Sequence, residues 1–209
     1  MKRSDLRLRI ADACEDTSMV FFEEAEINAS IDEAMEVIAE RTKCVRRTAF
    51  VSIREGANFY FLHSIASDIM YPYRLWNEHR NQRLEPTSMP ELDGFNRTWL
   101  DTSGDPDRWF PVSWDYFGIY PHAATAGGVI RIDYIAWPRE LLDDDDEIEL
   151  PESASDAVFG YSTYEGQCRE WNDAGAAAWW QIFNQQLGET NAKTGIRRTQ
   201  ESDLRRRPL

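Results

Sequence analysis

Apolar positions toward the two ends of the chain recur at the spacing of α-helices. A short first helix is predicted over residues 6–13, and a stronger one follows it. In the second helix, apolar residues step by three and four along one face: Ile27, Ile31, Ala34, Met35, Ile38 and Ala39. Arg41 and Lys43 near its end match the negative pole of the helix dipole. Ser30 and Glu33 have capping-box spacing, so an interruption of this helix stays open.

Between these ends the apolar period changes to two, which is typical of β-strands. The pattern predicts two β-hairpins and a further strand: 47–53 with 58–62, 116–120 with 129–137, and 71–76. Thr87 or Ser88 is expected to cap a short helix that has Pro90 in its first turn and runs to about Trp99. A turn is expected at residues 101–107.

Helical spacing returns after an acidic loop at residues 143–147. Pro151 and Ser153 open a predicted helix whose apolar members step by four and three: Ala157, Tyr161, Tyr164, Cys168 and Trp171. A turn at Asn172 leads to a second helix, which ends near Gly188 and has one apolar side: Ala176, Trp179, Trp180, Phe183 and Leu187. The short link between them predicts an antiparallel pair of helices.

The chain beyond this pair has little apolar content. Residues 190–209 are therefore predicted to be an extended basic tail that does not fold alone. The fold class is α+β: a helical bundle formed by the N- and C-terminal helices, with a central β-rich insertion and an extended C-terminal tail. Four segments are expected: N-terminal helices 1–46, β-rich insertion 47–150, C-terminal helical hairpin 151–188 and tail 189–209.

Charge is unevenly distributed along the chain. The 209 residues include 23 Lys and Arg against 37 Asp and Glu, a net charge of −14. Residues 196–209 hold five Arg against Glu201 and Asp203, a local net charge of +3 that leaves −17 on the rest. An acidic body argues against recognition of nucleic-acid phosphates, which requires clustered Lys and Arg. It permits a surface along which DNA passes without binding.

The residue types of catalytic and metal sites do not come together in the sequence. The histidines and cysteines are scattered, without the spacing of metal-binding motifs: His63, His79, His122, Cys14, Cys44 and Cys168. Residues 143–147 are acidic but lack the spaced oxygens and internal glycine of a calcium loop, so a solvated loop is predicted. No catalytic residue, cofactor or metal ligand is assigned. Carboxylate pairs for glycoside hydrolysis stay open, because such pairs are recognised by their separation in space.

Short motifs in a fixed order resemble those of phage head-to-tail connector or adaptor proteins. An aromatic pair precedes an acidic helix start at residues 21–28, and an Ile-Asp-Glu-Ala stretch follows at 31–34. The β-rich centre resembles that of the family in four motifs. These are Gly-Ile-Tyr-Pro at 118–121, a glycine turn at 127–128, a strand at 130–134 and Trp-Pro at 137–138. An acidic loop leads to Leu-Pro at 141–151, and a closing helical pair spans 161–187. The similarity covers about residues 4–188.

The resemblance implies a non-enzymatic structural protein of the virion neck, assembled in the host cytoplasm. It implies a homo-oligomeric ring, twelve-fold, between the portal and the tail tube or nozzle, with DNA running through its centre. No membrane partner is expected, because no apolar run approaches the length of a membrane span. Aromatic and Arg side chains dominate interface energetics, so four tryptophans are predicted to lie at interfaces: Trp109, Trp114, Trp179 and Trp180. The basic tail is predicted to bind the portal or a neighbouring subunit through Arg197, Arg198, Arg205, Arg206 and Arg207.

Four other interpretations stay open. The chain could be another tail component, such as a tube terminator or baseplate part. It could be a carbohydrate-binding module that uses the Trp-rich segment at residues 109–114, or a tail-associated hydrolase. Alternatively, residues 196–209 could simply bind DNA, which high salt would reverse.

Overall fold

The structure is a computed structural model that describes the backbone of residues 1–206 and the side chains of residues 1–195. It has the predicted α+β class. Its helices are α1 (Arg3–Ala13), α2 (Glu24–Thr42), α3 (Met89–Phe95), α4 (Glu152–Arg169) and α5 (Asp173–Arg206). Its longer strands are β1 (Arg46–Ser52), β2 (Phe59–Phe61) and β3 (Ile69–Asn77). The remaining strands are β4 (Gln82–Arg83), β5 (Glu85–Pro86), β6 (Ser103–Gly104), β7 (Arg108–Pro111), β8 (Tyr116–Tyr120), β9 (His122–Ala123) and β10 (Val129–Ala136).

The chain divides into two compact units. The helical unit consists of Met1–Val45 and Pro138–Leu209, and the β unit is Arg46–Trp137. In the helical unit, α1, α2 and α4 contact one another, and α5 packs along α4. Its core is formed by small and branched residues that are at most 3% exposed, together with one phenylalanine: Leu6, Ile10, Ile31, Ala34, Ile38, Ala157, Val158 and Phe183.

Helix α2 begins and ends with local signals in its sequence. Glu23 and Glu26 form a reciprocal capping box, which satisfies backbone N–H groups that have no helical partner. Lys43 ends the helix in the left-handed conformation, with φ of 54°. Ser30 is buried inside the helix and does not interrupt it, because the periodic apolar face continues on both sides.

Helix α5 is longer than its sequence pattern predicts. The helix was expected to end near Gly188, but it continues to Arg206. Thr190 is fully buried and its hydroxyl donates a hydrogen bond to the Ser153 carbonyl at 2.9 Å. The expectation of an extended tail from residue 189 is therefore wrong for the residues whose side chains are described. This part of α5 therefore meets α4 through a buried polar residue, where the sequence pattern required an apolar face.

The β unit contains two four-stranded sheets and a small parallel pair. One sheet has the order β1-β10-β3-β4, and the other has the order β2-β8-β7-β5. The third sheet pairs β6 with β9. Leu92, Trp99, Phe110 and Tyr120 form a buried cluster, with Phe110 and Leu92 fully enclosed.

Both predicted β-hairpins are wrong. Strand β1 pairs with β10, whereas β2 pairs with β8, so the first two strands lie in different sheets. Strands β8 and β10 are likewise in different sheets. The paired strands are far apart in the sequence: Thr48 of β1 lies opposite Asp133 of β10, 85 positions later. Alternating side chains identify a strand and its buried face, but they do not identify its partner.

The predicted cap of the short helix is confirmed. The Ser88 hydroxyl accepts a hydrogen bond from the Glu91 backbone N–H, and Pro90 lies in the first turn of α3. The helix ends at Phe95, earlier than expected, and Trp99 begins a separate 3₁₀ turn.

Candidate functional site

The β unit has an open apolar groove, here called the aromatic groove. It has a volume of about 500 Å³ and is lined mainly by large side chains: Leu62, Pro72, Trp109, Val112, Trp114 and Tyr116. Trp114 is 84% exposed, whereas Trp109 is 6% exposed. Concave apolar surfaces with one projecting ring are typical of protein interfaces. The groove is therefore a candidate surface for binding another protein.

The position of Trp114 follows from the tight connection between β7 and β8. The backbone N–H groups of Val112 and Ser113 both donate to the Tyr116 carbonyl, at 3.0 and 3.3 Å. The Ser113 hydroxyl in turn accepts from the Asp115 N–H at 3.3 Å. These bonds fix the turn in one shape, so the exposed ring is presented without the entropy cost of ordering a flexible loop.

Trp109 also lines the aromatic groove, but most of its side chain is buried in the β unit. It lies on β7 opposite Ile119 of β8, and this strand pairing places its side chain against the interior. Its role at an interface stays a prediction, and a ring that is 6% exposed offers a partner only a small area at the floor of the groove. The groove has exposed rings beside it in Phe61 and Tyr116, whose centroids are 5.1 Å apart.

Trp179 and Trp180 join the last two helices of the helical unit. Trp179 packs edge-on against Phe159 of α4 at 5.2 Å, and Trp180 contacts Tyr164 at 4.9 Å. Each ring is half-buried, so it stabilises the α4–α5 pair and still has a face in solvent. Their proposed interface role is compatible with this exposure.

Trp171 is the exposed aromatic residue that the sequence pattern placed wrongly. It was predicted on the buried face of a helix, but it lies in the α4–α5 turn and is 90% exposed. The turn closes with hydrogen bonds from the Trp171 N–H to Cys168 and from the Asn172 N–H to Gln167. This is a Schellman motif, whose left-handed position usually holds glycine. Trp171 occupies it with φ of 60°, a strained conformation for a bulky side chain.

A second exposed ring is presented nearby by a short loop before α2. The Asp16 carboxylate accepts backbone hydrogen bonds from Val20, Phe21 and Phe22 at 2.8 to 3.1 Å. Bonding to Phe22, followed by the other two, lowers the pKa of Asp16. Phe22 is buried, which leaves Phe21 outside at 61% exposure.

These features of the helical unit form one surface, here called the acidic edge. A depression of about 460 Å³ brings several of its residues together, including Glu15, Asp16, Phe21 and Glu170. Trp171 lies in the chain between Glu170 and Asn172, which both line this depression, and its exposed ring is counted with the surface. The acidic edge therefore combines three carboxylates with two exposed aromatic rings. No spacing in the sequence pointed to it, because its residues come from two segments about 150 positions apart.

The acidic loop at residues 143–147 is a structural connection to α1. Arg7 binds Asp144, and Lys2 binds Asp145 at 2.7 Å. Asp146 accepts backbone hydrogen bonds from Leu142 and Asp143 at 2.8 and 2.9 Å. The prediction of a merely solvated loop is thus incomplete, since its carboxylates fasten the N-terminal helix. Across the described residues, no group of three or more His, Cys, Asp or Glu side chains is arranged to hold a metal ion.

The predicted basic tail residues cannot be placed in a site. The side chains of Arg197, Arg198, Arg205 and Arg206 lie outside the described residues, as does all of Arg207. Within the part of the chain that the structure covers, no helix combines the length and apolar character needed to cross a membrane.

Comparison with known proteins assigns the chain to a family. No curated protein matches its sequence. The family model described as SU10 adaptor protein matches residues 1–207, almost the whole chain. This match covers both the helical unit and the β unit, including the segments that carry the aromatic groove and the acidic edge. The chain therefore belongs to the SU10 adaptor protein family, a family of phage head–tail adaptors.

Proposed function

We propose that copies of this chain form a closed ring of twelve between the portal and the tail tube or nozzle, with packaged DNA passing through the centre. Family membership makes the protein a structural component of a phage virion. The match over residues 1–207 is the observation that carries the proposal, because it spans the full set of elements.

The exposed aromatic surfaces support a role in assembly. A closed ring of identical subunits requires a heterologous interface, in which one surface meets a different surface of the next copy. The chain has at least two such surfaces, the aromatic groove with Trp114 and the acidic edge with Trp171. Exposed tryptophans at 84% and 90% are costly to leave in water, and burial in a complex removes that cost.

The charge of the chain supports a channel through which DNA slides. Outside residues 196–209 the net charge is −17, so the chain as a whole carries charge of the same sign as phosphate groups. A wall that repels DNA at short range does not retain it during packaging or ejection.

Electron microscopy of the purified chain mixed with its portal tests the ring. The expected result is a twelve-fold ring seated on the portal, with an open centre. A single copy per particle, or a chain that stays monomeric beside the portal, would contradict the proposal.

The basic tail is proposed to dock on the portal or on a neighbouring subunit. Truncation must spare Thr190, because its buried hydroxyl binds Ser153 of α4. Deleting residues 196–209 is therefore expected to reduce portal docking while the fold is retained. Docking at wild-type strength would show that the arginines of the tail are not the contact. If instead the tail binds duplex DNA, high salt will release the full chain from DNA but leave portal binding intact.

One observation favours a second function. Trp114 beside a groove is the arrangement that a carbohydrate-binding module needs for stacking a sugar ring. The groove lining is mainly apolar, whereas sugar hydroxyls need several polar partners, so a protein ligand fits it better. A monomeric chain that binds glycans, and loses them on Trp114→Ala, would favour the module.

A further inference from the structure

The β1-β10-β3 sheet of the β unit has one buried and one exposed face. Residues at even positions of β10, such as Ile130 and Ile132, are fully buried and face the core with Leu75 of β3. The opposite face is open to solvent except at Asp133 and Ile135 of β10, as antiparallel sheets allow. Phe50 of β1 is on this open face and is 60% exposed.

The open face is rich in guanidinium groups and aromatic rings. Strand pairing places Phe50 beside Arg131, and Arg131 beside Trp76. The Arg131 guanidinium lies over the Trp76 ring at 5.4 Å. Across the same face the Arg46 guanidinium lies over Tyr73 at 5.6 Å. This surface is called the arginine face and is defined by Arg46, Phe50, Tyr73, Arg74, Trp76, Arg83 and Arg131.

Two arginines of this face, Arg74 and Arg131, contact a buried carboxylate. Asp133 is 4% exposed, and it binds Arg74 and accepts a hydrogen bond from Thr48 at 2.9 Å. Arg131 lies 3.6 Å from Asp133 and 3.0 Å from Glu78. Four arginines against these two acids give the face a net charge of +2, in a chain whose total is −14.

The acidic edge of the helical unit has the complementary character. Glu15, Asp16 and Glu170 supply negative charge, and Phe21 and Trp171 supply exposed rings. An exposed indole pairs favourably with a guanidinium, and the gain increases when water is excluded. The left-handed backbone at Trp171 costs conformational energy in the isolated subunit, and such strain is concentrated at functional positions.

We propose that the arginine face of one copy binds the acidic edge of the next copy. This inference rests on the proposed ring, and it names the two surfaces that form its heterologous interface. Charge complementarity and ring stacking act together, because each surface combines both elements. The occupant of the arginine face is therefore a second copy of this chain.

A nucleic acid fits the arginine face less well. Asp133 and Glu78 neutralise part of its charge, and they would repel a phosphate that approached Arg74 or Arg131. Carboxylates of the acidic edge meet the same two acids, but this edge also presents the exposed rings of Phe21 and Trp171, which can stack on the guanidinium groups as a duplex backbone cannot.

Two variants that each damage one surface test the interface by complementation. Phe50→Glu places an acid on the arginine face and leaves the acidic edge intact. The double variant Glu170→Lys, Trp171→Gly damages the acidic edge and leaves the arginine face intact. Each alone is expected to lose association by at least tenfold in sedimentation over a concentration series with portal present. A 1:1 mixture is expected to form heterodimers that do not grow into rings, because only one intact contact is available.

Three further variants serve as controls: one for the stability of the fold, one for a change outside both surfaces, and one for the arginine face. Trp171→Gly alone is expected to raise Tm by a few degrees, since glycine adopts the left-handed turn without strain. Phe95 is 69% exposed and belongs to neither the arginine face nor the acidic edge. The Phe95→Glu variant is therefore expected to assemble like the wild type. Arg83→Glu, at an exposed position beside Trp76, provides a second test of the arginine face.

The outcomes are distinguishable. Rings formed by Phe50→Glu or by the double variant alone would overturn the interface and leave the proposed ring standing. A mixture without heterodimers overturns the interface as well. A wild-type chain that remains monomeric with portal present overturns the ring and the interface together. Duplex DNA binding that Phe50→Glu abolishes would assign the arginine face to nucleic acid instead.

Discussion

Arg7 donates two hydrogen bonds to the Asp144 carboxylate, at 2.7 and 3.0 Å, across 137 positions of the chain. The same guanidinium lies 2.6 Å from Glu24 at the start of α2. Its side chain is 10% exposed, so one buried arginine connects α1, α2 and the acidic loop. Bidentate arginine–carboxylate pairs are stronger than ordinary hydrogen bonds because both groups are charged and planar.

Arg7→Met is expected to destabilise the helical unit. The variant keeps most of the buried stem but removes the charged hydrogen bonds, which are typically worth about 1.5–3 kcal/mol. Urea denaturation followed by circular dichroism measures the loss. Lys2→Met is the matched control, because the Lys2–Asp145 pair is exposed on both sides and is expected to change stability little. Equal effects of the two variants would show that burial of Arg7 does not matter.

The same pair predicts a loss of stability in acid. Hydrogen bonding to Arg7 lowers the pKa of Asp144 below its ordinary value. An aspartate whose pKa is lowered on folding stabilises the protein fully above its pKa in the unfolded chain, about 3.9. That stabilisation is lost as the pH falls through its pKa in the folded protein. Arg7→Met is therefore expected to unfold with a shallower acid dependence than the wild type. Unchanged acid dependence in denaturation series from pH 5 to pH 2 would contradict this.

Glu165 predicts a pH dependence of the opposite sign. Burial raises the pKa of its carboxyl, and nearby Glu33 adds to this, while Ser30 and Arg169 oppose it. The folded protein then binds this proton more tightly than the unfolded chain does. The contribution of Glu165 to stability is therefore fully present below about pH 4.3, the pKa in the unfolded chain, and is lost as the pH rises through the pKa in the folded protein.

Glu165→Gln is therefore expected to raise Tm by a few degrees at pH 7 and by less at pH 5. The amide keeps the shape of the side chain and removes the cost of burying its charge. Thermal unfolding at a series of pH values measures the difference. Glu36→Gln, at an exposed position of α2, is expected to leave the curve unchanged. Parallel curves for wild type and Glu165→Gln would refute the assignment.

Gly118 is predicted to be intolerant of any side chain. It lies on β8 opposite Phe110 of β7, and a Cβ at this position would collide with the phenylalanine ring. Gly118→Ala is expected to destabilise the β unit by about 1–3 kcal/mol, because Phe110 is fully buried and must leave its position. Gly94→Ala in α3 meets no atom within 4 Å and is expected to be neutral or stabilising by up to about 1 kcal/mol. Chemical denaturation of both variants checks the contrast, and similar stabilities would contradict it.

The buried Thr190 predicts a sharp difference between two truncations. A chain ending at residue 195 keeps the hydrogen bond from Thr190 to Ser153, whereas a chain ending at Gly188 loses it. The shorter chain also exposes the surface of α4 that Thr190 covers. The chain ending at Gly188 is expected to melt several degrees lower than the full chain. The chain ending at residue 195 is expected to melt close to the full chain. Identical melting temperatures would mean that α5 contributes nothing beyond Gly188.

The sequence by itself determined helices α1, α2 and α4, the positions of strands β1, β2, β3, β8 and β10, and the cap at Ser88. The face of α2 with Ile31 and Ile38 was predictable because helical periodicity is a property of neighbouring residues. The resemblance to head–tail adaptors was likewise carried by short motifs in order, and the family match confirms it.

Only the tertiary structure decided which strands pair, which rings are exposed and how far α5 extends. Strand β1 pairs with β10 and not with β2, which is nearer in the sequence, because pairing depends on contacts between residues far apart in the chain. Trp109 and Trp114 are five positions apart, yet one is buried and the other exposed, since a tight turn separates them. Helix α5 continues past Gly188, and Thr190 bonds Ser153 of α4 in a polar contact that an apolar pattern does not predict. Periodicity reports the local environment that each residue prefers, whereas partners are selected by the packing of the whole chain.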